Sequence, residues 1–213
     1  RGLGDVYKRQ DKDSVLVNIG TGSQVSVLTD KKSGFAAGEI RPFSKTENLL
    51  VGAPLCGGRS YALLKSFFEK TLDCFGVAAD NIYSVMDKMA VEDIDNCSLS
   101  VDTRFCGTRR DPDIKGAVLQ ITEDNFTPQQ LTRGFLIGMC RELYSFYEQM
   151  EKLTGKKRTH LVESGNGVRK NKILQHYLEE TFKMSIEIPA NTEEAAFGAT
   201  AFVSRNLKNK ITG

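Results

Sequence analysis

The chain of 213 residues has no tryptophan, two histidines, five prolines and five cysteines. His160 and His176 are too few and too isolated to build a histidine-rich metal site. Cys56, Cys74, Cys97, Cys106 and Cys140 are odd in number and form no C-x-x-C pair, which argues against a zinc ribbon and a disulfide framework. Reduced thiols in a cytoplasmic protein are the expectation. No apolar run approaches the ~18 residues of a membrane span, and no signal-peptide pattern occurs. Three well-marked motifs are also missing: G-x-x-x-x-G-K-[ST], H-E-x-x-H and G-x-S-x-G. With 40% hydrophobic and 26% charged residues, the composition is that of a globular protein and excludes disorder, collagen and a coiled coil.

Charge of one sign is lacking as well. Residues 1–10 (RGLGDVYKRQ) begin without Met, show no periodicity and resemble a translated adapter, so they are expected to be a non-native leader and are set aside. Without the leader's Arg1, Lys8, Arg9 and Asp5, the 29 basic and 27 acidic residues balance at a net charge of zero. No basic field for nucleic acid or an anionic membrane surface is left.

What is present is an alternation of strand and helix patterns. Val15–Ile19 is a compact apolar run, followed by Gly20-Thr21-Gly22 and an alternating stretch to Asp30, which predicts two strands around a tight turn. Lys31-Lys32-Ser33-Gly34 predicts a turn and Leu49–Ala53 a strand. Tyr61, Leu64, Phe68, Leu72 and Phe75 recur at helical spacing, and Asp80–Asp95 holds a second, weaker helix. Gly116–Thr122 reads as a strand. Thr127-Pro128-Gln129-Gln130 has the cap spacing and early proline of a helix start. Its stripe of Leu131, Phe135, Met139, Leu143, Phe146, Met150 and Leu153 runs to Gly155. A strand over Thr159–Glu163, a helix with Ile173, Leu174, Tyr177, Leu178 and Phe182 inward, a strand over Ser185–Ile188 and a helix capped by Asn191 complete the pattern. This order predicts an α/β domain with one mixed sheet.

Three glycine turns sit where such a domain carries chemistry. Gly20-Thr21-Gly22-Ser23 at a hairpin tip lets backbone N–H groups converge on an anion, with two hydroxyls beside them; a plain turn is the competing reading. Gly57-Gly58-Arg59-Ser60 precedes a helix, whose N-terminal amides and dipole favour phosphate, although helix packing also calls for glycine there. Ser164-Gly165-Asn166-Gly167 links a strand to a helix. Read as a dinucleotide fingerprint it offers Gly165-x-Gly167, and Glu187 follows at a plausible distance, but Lys170 stands in place of the third glycine.

The order of these turns resembles that of the actin-like sugar kinases. From about Val15 to Asn206 the chain resembles the C-terminal domain of the FGGY carbohydrate kinases, and most of all their sedoheptulokinase branch. Four stretches carry the resemblance: Asn18–Ser23, Gly107–Asp113 with Lys115–Val118, Leu131–Gly134 through Gly138, and Ser164–Gly167 through Asn171 with Thr192–Ala199. Ile137 replaces the Glu that many of these kinases carry in the long helix, as in the sedoheptulokinase branch; Asn166 and Lys170 dilute the glycine-rich adenosine loop.

The resemblance implies an RNase H-like (actin-like ATPase) domain, with a mixed sheet flanked by helices, over residues 11–213. It implies ATP with Mg2+ and transfer of the γ-phosphoryl group to a sugar hydroxyl, most closely of sedoheptulose; xylulose, gluconate and glycerol are the alternatives. Gly20, Thr21 and Gly22 would cradle the β- and γ-phosphates and Gly57 and Gly58 would line the phosphate side. Gly165, Asn166 and Gly167 would form a floor under adenosine, with Asn171 facing the base. The catalytic Asp, the first phosphate motif and most sugar contacts belong to an N-terminal domain expected upstream, so this portion alone is expected to be inactive. No protein residue here is expected to hold metal. Arg109 and Arg110 are read either as phosphate-reaching or as salt-bridged, Cys56 as a packed small residue, and His160 as a strand-surface residue. A nuclease needs paired carboxylates on the first strand to hold two metals; Asn18 is the polar residue there, which excludes that reading. A dinucleotide-binding module and an interaction-only domain remain the other readings.

Overall fold

The structure is a computed structural model that describes residues 13–78, 80–164, 167 and 171–188. Among the described residues, eight strands and four helices follow in order: β1 (Ser14–Ile19), β2 (Ser23–Thr29), β3 (Glu39–Pro42), β4 (Asn48–Gly52), α1 (Arg59–Cys74), α2 (Ile82–Val91), β5 (Ser100–Asp102), β6 (Ala117–Leu119), α3 (Pro128–Thr154), β7 (His160–Ser164), α4 (Lys172–Phe182) and β8 (Ser185–Glu187). The main sheet runs β3-β4-β2-β1-β7-β8, with β5 and β6 forming a separate ribbon. β1, β2, β4 and β3 pair antiparallel, whereas β1–β7 and β7–β8 are parallel. The sheet is therefore mixed, as the pattern predicts.

Alternation builds one face. Val15, Val17 and Ile19 of β1 point inward with Val25, Val27, Leu50 and Leu161, onto Leu136, Met139, Cys140 and Leu143 of α3 and Leu174 and Leu178 of α4. The opposite face carries a smaller cluster of Leu28, Phe43, Leu49 and Val51. Helix α3 is the spine. Thr127 caps it by accepting from the Gln130 amide at 3.2 Å, Pro128 occupies its first turn, and Gly155 ends it in the left-handed conformation. Its glycine face lets β5 approach closely: a Cβ on Gly138 would collide with the carbonyl of Val101.

Several expectations shift. Phe75 is the residue that ends α1 and is 79% exposed, so the inward stripe of that helix stops at Leu72. The strand expected over Gly116–Thr122 is shorter, Ala117–Leu119, because it has only the three residues of β5 to pair with. β3 is unforeseen; it is an edge strand containing Pro42 and alternating charges, which breaks the periodic signal. The helix expected from Asn191 lies outside the described residues. All five cysteines are free thiols, Cys56 is buried and His160 is exposed on β7. No helix among the described residues is long and apolar enough to cross a membrane.

Candidate functional site

Parallel pairing of β1 and β7 places Asn18 opposite Ser164, and the Asn18 amide donates to the Ser164 hydroxyl at 2.7 Å. The two strands thus end at one edge of the sheet, where ligands of open α/β sheets bind. The first glycine turn crosses from β1 to β2 at that edge. The second is packed against it. Gly57 is left-handed at φ +51°, and a Cβ there would lie 2.5 Å from the Ser23 amide nitrogen; one on Gly58 would collide with the Gly20 carbonyl oxygen. A Cβ on Gly167 would lie 2.6 Å from the Ile19 carbonyl oxygen. All three turns therefore meet backbone to backbone.

Their outward side is different. A Cβ on Gly20 would find its nearest neighbour at 3.9 Å, and one on Gly22 would find nothing within 4 Å. The hairpin tip thus presents bare backbone to open space. Some amides of these two turns are already engaged. The Gly20 N–H donates to Gly22 O at 2.8 Å, and the amides of Arg59 and Ser60 donate to Cys56 O and Gly57 O, each at 3.0 Å. The second turn contributes close approach to the hairpin, with two amides at the head of α1 already engaged.

A cleft of about 420 Å3 opens beside this junction, within the range typical of small-molecule sites. Gly20, Gly58, Gly167 and Asn171 form its polar backbone side, Leu136, Met139 and Leu174 its apolar floor, and Tyr61, Tyr83 and Asp87 a third wall. Thr21, Gly22 and Gly57 sit at the hairpin and its neighbour, not in the cleft lining, and Gly165 and Asn166 lie outside the described residues.

Asn171 has two structural bonds. Its Oδ1 caps α4 by accepting from the Leu174 amide at 2.9 Å, and its Nδ2 donates to Asp87 Oδ1 at 2.8 Å. The Tyr61 hydroxyl donates to the same Asp87 oxygen at 3.2 Å, and the Tyr61 and Tyr83 rings stack with centroids 5.9 Å apart. Burial pushes the Asp87 carboxyl above the usual carboxylate range, against the pull of these two donors. Burial and the neighbouring Asp87 push the Tyr61 phenol up. Neither Asp87 nor Tyr83 is marked in the sequence: they lie in a short helix with no chemical motif, and only its packing against Tyr61 of α1 and the Asn171 cap of α4 gives them a shared site.

Arg109 forms an ion pair with Glu39, and Arg110 donates to the Ala36 carbonyl. They line a separate cavity of about 210 Å3 behind the β3–β4 edge. Of the two readings for this pair, the salt-bridged one describes Arg109. Among the described residues no group of three ligating side chains can hold a metal ion.

The model of the FGGY family of carbohydrate kinases, C-terminal domain, matches residues 15–206. No curated protein matches the sequence at a significant level. Among solved structures, the gluconate kinase of Lactobacillus acidophilus superposes with a TM-score of 0.77 at 20% identity, over 95% of this chain and 40% of its own. The xylulose kinase of Bifidobacterium adolescentis gives 0.74 at 18%, over 92% of this chain and 37% of its own. The glycerol kinase of Plasmodium falciparum, determined with ADP, gives 0.70 at 18%, over 92% and 38%. The fold is that of these kinases, and the chain spans about two fifths of their length.

Proposed function

The chain belongs to the FGGY family of carbohydrate kinases as their C-terminal domain, and from that premise we propose that it is the ATP-holding half of a sugar kinase. The observation that carries the reading is the convergence of Gly20, Gly58, Gly167 and Asn171 on one cleft. These four come from three separate turns, each of which has a bland explanation when taken alone. The ADP in the Plasmodium falciparum glycerol kinase supports an adenine nucleotide as the occupant.

In this reading the nucleoside lies over Leu136, Met139 and Leu174, with Gly167 beneath it. The phosphates run toward the hairpin of Gly20, Thr21 and Gly22, with Gly58 and Gly57 behind. Bare backbone there admits a phosphate chain without Cβ interference. Phosphoryl transfer passes through a loose transition state, so the domain's task is positioning and charge stabilisation. Mg2+ would arrive on the nucleotide's own oxygens, since Mg2+ commonly keeps its waters and binds substrate phosphates; the described residues supply no cage, and no step is assigned to it.

Sedoheptulose is the acceptor that the sequence resemblance selects, and the other half of the kinase supplies the catalytic Asp and most sugar contacts. The protein carrying this domain together with that half is expected to transfer phosphate from ATP to sedoheptulose, and to lose the activity on Gly167→Val, which drives a side chain into Ile19. Transfer to xylulose, gluconate or glycerol instead would retain the kinase and reject the acceptor. Transfer to none of the four would reject both.

A further inference from the structure

Asp87 is the feature of the cleft that the glycine motifs leave unexplained. A carboxyl group half-withdrawn from water is costly unless its oxygens have donors. Oδ1 has two, Tyr61 and Asn171, whereas no hydrogen bond among the described residues falls on Oδ2. The tyrosine hydroxyl and the asparagine amide fix the orientation of the carboxylate, and stacking of Tyr83 on Tyr61 fixes that wall in turn. Asn171 is itself fixed, because its carbonyl caps α4. An amide nitrogen carries two hydrogens, so with one donated to Asp87 the other is left for the cleft. The pair therefore presents a rigid acceptor beside a rigid donor, above an apolar floor of Leu136, Met139 and Leu174.

That pattern is complementary to one purine edge. Adenine shows the N7 acceptor next to the N6 amino donor, whereas guanine shows two acceptors, N7 and O6. Resting on the nucleotide reading above, we propose that Asp87 is a base-specificity residue: its Oδ2 accepts from the N6 amino group of adenine while Asn171 donates to N7, and guanine is rejected by repulsion between O6 and the carboxylate. The apolar floor favours the flat base over the ribose as the partner of this wall.

The test measures dissociation constants of ADP, GDP and 2′-deoxy-ADP by calorimetry for the full chain and for Asp87→Asn and Asp87→Ala. The parent is expected to bind ADP about tenfold or more tightly than GDP, as a matched pair of base contacts implies, and 2′-deoxy-ADP as tightly as ADP. Asp87→Asn keeps an oxygen for Tyr61 and Asn171 but turns Oδ2 into an amino donor, so GDP should gain and ADP lose until the preference closes or reverses. Asp87→Ala should abolish most of the preference; unchanged circular dichroism identifies a folded variant, and the isosteric Asn variant decides alone if Ala does not fold. An ADP preference that survives Asp87→Asn overturns the proposal while leaving the nucleotide reading intact. So does an Asp87 effect confined to ADP over 2′-deoxy-ADP, which assigns the carboxylate to the ribose. A parent chain that binds neither nucleotide overturns the nucleotide reading, and this inference with it.

Discussion

A methyl group added at Gly58 and one added at Gly22 have opposite expected consequences. At Gly58 the new carbon meets the fixed carbonyl oxygen of Gly20, backbone against backbone; such overpacking costs about 1–3 kcal/mol, and Gly58→Ala should lower the unfolding midpoint in urea accordingly. At Gly22 the carbon enters open space and the residue is not left-handed. Gly22→Ala should therefore leave stability unchanged or raise it by up to about 1 kcal/mol, while weakening ADP binding in a titration, because the added carbon stands where the phosphates would lie. Titration supplies a second residue-scale check. Burial raises the Glu142 carboxyl while the Thr103 hydroxyl, donating at 2.7 Å, draws it back down. The folded state thus keeps this proton to higher pH than the unfolded chain, so stability falls as pH rises above the ordinary glutamate value of 4.5. Glu142→Gln should flatten that part of the stability profile. Asp102 has the opposite sign: the Arg104 guanidinium holds it low, and its contribution is lost as acid protonates it. The glycine turns were legible because they punctuate the chain, whereas Asn171 entered only through the family resemblance and its capping of α4 was not foreseen. Asp87 was not legible, since a lone carboxylate on a short helix carries no local signal and meets Tyr61 and Asn171, remote in sequence, only in the folded chain.

At the scale of elements, α3 connects the core to the site wall. Its Thr127 cap is worth about 1 kcal/mol, and Thr127→Ala should show that loss in equilibrium unfolding. Arg133, buried on the same helix, donates to the carbonyls of Met89 and Glu92 at the end of α2, where a cation also suits the helix dipole. Arg133→Met should therefore speed hydrogen exchange in α2 well beyond any change in α4; equal acceleration throughout would contradict a specific tether. Long elements with strong periodicity, such as α3 and α4, were readable because burial of one face dictates the 3.6-residue pattern. β3 and β5 were not. They are four and three residues long, too short for a period, and only pairing with a neighbour makes them strands.

For the whole molecule, the parallel β1–β7 pair joins the N-terminal hairpin to the distant glycine loop, and neither half alone makes the cleft. The balance of charge found in the sequence agrees with a ligand held by backbone and shape rather than by a basic field. The direct measurement is thermal unfolding of the chain with ADP and, separately, with NAD+. Binding to the native state at a hundred times Kd stabilises by about 2.7 kcal/mol, which for a domain of this size raises the midpoint by about 5–10 °C. The account predicts such a rise with ADP and none with NAD+. No rise with ADP, or a rise with NAD+ as large as that with ADP, would contradict it.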